Sequence, residues 1–122
     1  LADKWGNLVS RVASLIEKYG TEKTENKLLK KLKLKEIEKL IDSYQFDKAL
    51  NEIFAFIDNC NEYVQANELW KSGDKKKLYE LKESILKTAE ILWCFLPETS
   101  EKIKENFSSK EIKKREVLFK KI

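Results

Sequence analysis

Apolar residues recur every three or four positions along almost the whole chain, and this period limits the fold more than any other feature. The first segment carries them at Leu1, Trp5, Leu8, Val9, Val12, Leu15, Ile16 and Tyr19, which is one face of an α-helix. No segment alternates convincingly with the period of two that a half-buried strand requires. Three Gly and one Pro in 122 residues leave few points at which the chain can break, so long helices are favoured over a many-turned β fold.

The same pattern divides the chain. Gly20 stands where a C-terminal cap would end the first helix, and residues 21–27 read as a polar connection. A second helix is expected through Leu28, Leu32, Ile37, Leu40 and Ile41, with the opening from Leu28 to Leu34 a loop or a separate turn. The phase breaks at Ser43–Gln45. A third helix begins near Phe46, runs through Ala49, Leu50, Ile53, Phe54, Ile57, Cys60 and Val64, and ends before Trp70. Ser72-Gly73-Asp74 makes a turn with Asp74 as N-cap. The fourth helix is expected to bury Leu78, Leu81, Ile85, Leu86, Ala89, Leu92, Trp93 and Leu96. Pro97 suits the first turn of a short fifth helix carrying Ile103 and Phe107. Residues 108–122 are basic and partly apolar, and are expected to pack back on the bundle. The prediction is an all-α fold, an antiparallel bundle of about five helices forming one domain over residues 1–122, joined by short connections.

Composition narrows the function by exclusion. The chain lacks His, which removes a histidine base, a His-ligated metal and a Ser or Cys triad. Cys60 and Cys94 lack metal-site spacing and are read as two reduced, buried thiols of a soluble cytoplasmic protein. No apolar run approaches the ~20 residues of a membrane span. With no Met and an opening inside an amphipathic pattern, the chain is expected to be a piece of a longer protein. Its net charge of +4, from 25 Lys and Arg against 21 Asp and Glu, barely favours a nucleic-acid partner. Lysine is the default cation here, Arg11 and Arg115 being the sole arginines. An arginine early in an amphipathic helix suggests a use for its planar donor fork; the plain alternative is an ordinary surface position.

Patterning ends at a helical bundle, and the local strings say more. "GNLVSR" at residues 6–11 resembles the start of the anticodon-binding bundle of methionyl-tRNA synthetases, where a Gly-Asn-Leu-x-x-Arg string opens the first long helix. "YQFDKALNEIFAFIDNCNEYV" resembles that family's third helix. "ELWKSGD" matches its Trp-Lys turn, with Leu69 where proline is usual. "ILWCFLPETSEKI" is similar to a Leu-x-Pro-Phe-x-Pro-Glu-Thr-x-Glu-Lys-Ile signature, with Cys94 in place of a proline. "REVLFKKI" resembles the closing Pro-Leu-Phe-Pro-Lys-Ile string without its prolines. The strings occur in the family's order; only about residues 21–40 lack a counterpart. Related synthetases for isoleucine, valine, leucine and cysteine carry a similar bundle, and together the strings favour the methionine enzyme.

The resemblance implies a CAU anticodon read by Asn7, Arg11 and Trp70, with Asn61 and Lys71 as secondary RNA contacts. It implies as partners the tRNA(Met) anticodon stem-loop and the catalytic domain of the same synthetase, with no membrane and no metal. It implies no catalytic residue and no cofactor in this chain, because ATP and methionine bind the catalytic domain. The spacing of the three residues suits the task. Residues i and i+4 share a helix face, the amide of Asn7 can match a base edge, and the fork of Arg11 can bond or stack. Trp70 can stack on a splayed base, worth roughly 1–3 kcal/mol. Each residue has a duller reading: Asn7 as a surface polar group, Arg11 as a partner for Asp3 or Glu17, Trp70 as a lid on the bundle end. Tyr63 is expected in a core or interhelical contact rather than on RNA. Trp5 and Trp93 are expected in the core, with a second role open to Trp5 alone. The lysines of 27–39 and 75–77 are expected on solvated faces, with phosphate contact the lesser alternative. Two rivals stand: the matching domain of another class I synthetase, and a helical protein–protein interaction domain without an RNA role.

Overall fold

A computed structural model describes residues 2–25, 27–93 and 95–108. Among the described residues six α-helices follow in order: α1 Ala2–Tyr19, α2 Leu34–Asp42, α3 Phe46–Ala66, α4 Leu69–Ser72, α5 Lys75–Leu92 and α6 Pro97–Ser108, with a 3-10 turn at Leu29–Lys31 before α2. α4 is only one turn long, so five helices make the bundle and the expected architecture holds. No strand occurs among the described residues.

The helices begin and end for local reasons. Gly20, at φ +83°, donates its N–H to the Ile16 carbonyl at 2.7 Å and closes α1 in the left-handed conformation that glycine adopts without strain. The Asp74 carboxylate caps α5, accepting from the N–H groups of Lys76 and Lys77 at 3.1 and 3.3 Å. The break at residues 43–45 is a turn in which Tyr44 stands at φ +60°. Pro97 opens α6.

α1, α3 and α5 form the centre, with α2 packed on α3 and α6 on α5. α1 runs antiparallel to α5. At one end the Trp5 indole N–H donates to Thr88 Oγ1 at 3.3 Å, and at the other Glu22 N donates to the Lys75 carbonyl at 3.1 Å. α1 and α3 are linked near the start of α1 by the 2.9 Å ion pair of Lys4 with Asp58. The core includes Trp5, Leu8 and Val12 of α1, Ile53, Ile57 and Val64 of α3, and Leu78, Leu81 and Ile85 of α5.

Two details of the burial differ from the sequence reading. Trp93 is 49% exposed, although the apolar stripe of α5 placed it in the core. The buried arc of α5 is rotated toward the row Glu80, Ser84 and Thr88, all three buried. Ser84 and Thr88 satisfy their hydroxyls on the carbonyls of Glu80 and Ile85, both at 2.8 Å, so their burial costs little. Turning the helix toward that row moves Leu86 and Trp93, seven residues apart on the opposite edge of the stripe, outward. Trp5 is wholly buried and bonded to Thr88, which leaves it no second role at the surface. Cys60 is a buried free thiol, while Cys94 and the tail from 109 to 122 lie outside the described residues.

Candidate nucleic-acid interface

α1 buries Trp5, Leu8, Val9, Val12, Ala13, Leu15 and Ile16 and turns Lys4, Asn7, Arg11, Ser14 and Lys18 to solvent. The exposed stripe is the complement of the apolar one, so Asn7 and Arg11 stand one turn apart, about 6 Å along the axis. Among the described residues Arg11 forms no ion pair and Asn7 no hydrogen bond. Both residues are exposed.

Trp70 lies in α4, the single turn between α3 and α5, and its residue is 41% exposed. Left-handed residues flank that turn, Glu68 at φ +44° and Gly73 at φ +57°. Leu69 is wholly buried and anchors the turn in the core. Asn67 braces one side: its amide donates to the Tyr63 carbonyl at 2.8 Å, and its Oδ1 accepts from Lys77 Nζ at 2.8 Å. Tyr19, the last residue of α1, braces the other side, its hydroxyl donating to the Trp70 carbonyl at 2.9 Å. A Cβ at Gly73 would lie 2.5 to 2.8 Å from the Tyr19 ring, so glycine is needed there for closeness as well as for φ.

The link between α1 and Trp70 therefore runs through Tyr19. Arg11 is eight residues earlier, which sets the Trp70 turn about 12 Å further along α1 than Arg11 and about 18 Å further than Asn7. Lys18, Lys71, Lys75 and Lys76 are exposed around that end, with Lys18 Nζ 5.0 Å from the Tyr19 ring centroid. These lysines, interspersed with the exposed Glu17, Glu22 and Glu68, suit phosphate without reading sequence. Asn61 is half-buried on α3. Tyr63 donates its hydroxyl to the Glu80 carboxylate across α3 and α5, the interhelical role expected of it. Sequence reasoning missed Tyr19 and the left-handed pair. Gly73 was the one signal, and it pointed to a turn but not to what packs against it.

Burial pushes the Cys60 thiol up to about 12, which leaves it protonated and unreactive. Among the described residues no group of three His, Cys, Asp or Glu side chains could hold a metal ion, and no helix is long and apolar enough to cross a membrane.

Comparison with known proteins gives the family. A family model described as the anticodon-binding domain of tRNA ligase matches residues 25–121. The chain belongs to that family: it is an anticodon-binding domain of a tRNA ligase. Its similarity extends to methionine–tRNA ligases. It is 37% identical to that of Clostridium acetobutylicum over 85% of this chain and 19% of the relative. It is 29% identical to that of Thermotoga maritima over 97% of this chain and 22% of the relative. The enzyme of Lactococcus lactis is 29% identical over 91% of this chain and 20% of its own length. The chain thus spans about a fifth of the length of the curated relatives it matches. No solved structure matches it significantly.

Proposed function

We propose that the chain reads the CAU anticodon of tRNA(Met) on behalf of a methionine–tRNA ligase, with Asn7 and Arg11 addressing base edges and Trp70 stacking on a splayed base. The observation that carries this reading is the pairing of two exposed polar side chains, one turn apart on α1, with an exposed indole on a braced turn near the end of the same helix. The relatives named as methionine–tRNA ligases support the choice of anticodon. The lysines near Trp70, Lys71 among them, hold phosphates, and Asn61 is a secondary contact. Methionine activation with ATP and transfer to the tRNA belong to the rest of such an enzyme, working in the cytoplasm, and neither ATP nor methionine is held by these residues.

The test is binding of a fluorescent CAU anticodon stem-loop at low and moderate salt, against the same hairpin with an altered anticodon. A preference for CAU that survives added salt is the expected result, because base readout is far less salt-sensitive than phosphate contact. Trp70→Ala should remove one stacking contact, about 5-fold to 140-fold in affinity, with the fold intact. Unchanged affinity of that variant sinks the role of Trp70. Preference for another anticodon would assign the domain to a sister synthetase, and absence of any salt-sensitive binding would leave the protein–protein alternative.

A further inference from the structure

We infer that Tyr19 is the positioning residue for Trp70, fixing the indole relative to the Asn7–Arg11 face so that a stacked base stays in register with the bases met by α1. The inference rests on the anticodon reading above. Trp70 and α1 are brought together by chain folding alone, 51 positions separating Trp70 from Tyr19. Tyr19 grips the turn at two points, the carbonyl of Trp70 itself through its hydroxyl and the backbone of Gly73 through its ring. Those points bracket the outer half of α4, while Leu69 fixes the inner half in the core. The grip leaves Trp70 41% exposed. Because the hydroxyl bond lies at the exposed rim, bundle stability depends on it little. Its effect is on where the turn sits.

Tyr19→Phe separates these roles, since it keeps the ring against Gly73 and removes only the donor. The variant and the unaltered chain are labelled with 5-fluorotryptophan, and the fluorine signals of Trp5, Trp70 and Trp93 are assigned by single Trp→Phe substitutions. The signal of Trp70 should shift or broaden while those of Trp5 and Trp93 stay in place and the melt stays cooperative. Preference for the CAU hairpin over the altered one should fall about tenfold, the scale of one base-edge contact partly lost when the stacked base no longer sits in register with Asn7 and Arg11, with the salt dependence unchanged because no phosphate contact is touched. A merely structural residue would instead lower the melt and weaken both hairpins alike, and that result overturns the inference. So does a Tyr19→Phe variant with an unmoved Trp70 signal and full CAU preference, which would leave the anticodon reading standing. If the unaltered chain itself shows no preference for CAU, the anticodon reading fails, and this inference fails with it.

Discussion

Tyr63 on α3 donates its phenolic hydrogen to Glu80 on α5, and the same carboxylate accepts the N–H of Lys27 at 3.2 Å. One buried acid, 7% exposed, therefore ties two central helices to the connection that leads into α2. Its negative charge is kept inside by donors, as a buried carboxylate requires. Tyr63→Phe should destabilise the bundle by about 1.5–3 kcal/mol, the range of a hydrogen bond to a charged group, measured by urea unfolding near pH 7.

That pair also has a pH signature. Burial, and then the bond to Glu80, raise the Tyr63 phenol above its ordinary value of 10. A group whose folded value is raised stabilises fully below its unfolded value and loses that contribution as pH rises. The stability gap between the natural chain and Tyr63→Phe should therefore be constant up to about pH 9 and narrow above about pH 10. A gap that widens there would contradict the assigned proton. Comparing the two proteins cancels the lysines, which titrate in the same range.

Cys60 offers a test of packing through reactivity. Since burial holds its thiol up to about 12, a Cys94→Ser variant should react negligibly with a disulfide reagent at pH 8 when folded and fully in denaturant. The folded rate should follow the opening of the bundle and rise as urea is added.

The two left-handed glycines should respond differently to alanine. At Gly20 nothing lies within 4 Å of an added Cβ, so only the backbone cost of about 1–2 kcal/mol applies. At Gly73 the Cβ would meet the Tyr19 ring at 2.5 Å. Gly73→Ala should therefore be the more destabilising in urea titrations, and it alone should change the environment of Trp70.

Arg11 and Lys71 should divide affinity from specificity. Arg11→Lys keeps the charge and loses the planar fork, so preference among anticodons should drop while the salt slope stays. Lys71→Ala should weaken all hairpins alike and reduce the salt slope by about one. Titrations of two hairpins at four salt concentrations distinguish these outcomes, and the reverse pattern would exchange the roles of the two residues.

Local rules made part of the molecule legible from its residues. The limits of α1, α5 and α6 follow from Gly20, Asp74 and Pro97, because a cap depends on neighbours one turn away. The exposed pair Asn7 and Arg11 follows from the apolar stripe it complements. Trp93 was misplaced because hydrophobicity stood in for burial, whereas α5 turns its Glu80–Ser84–Thr88 row inward. A polar row can face the core when partners satisfy it, and here they come from α1 and α3 as well as from α5 itself.

By itself, then, the sequence determined a helical bundle, its punctuation, and two candidate base-reading side chains on one helix face, since all of these depend on residues within a turn or two of each other. Tertiary structure alone decided that Tyr19 grips the Trp70 turn, that Glu80 lies at the junction of Tyr63 and Lys27, and that Trp93 faces water. Those outcomes depend on which helix faces meet after α1, α3 and α5 pack. A face of mixed polarity has no preferred side until its hydrogen-bond partners arrive from elsewhere in the chain.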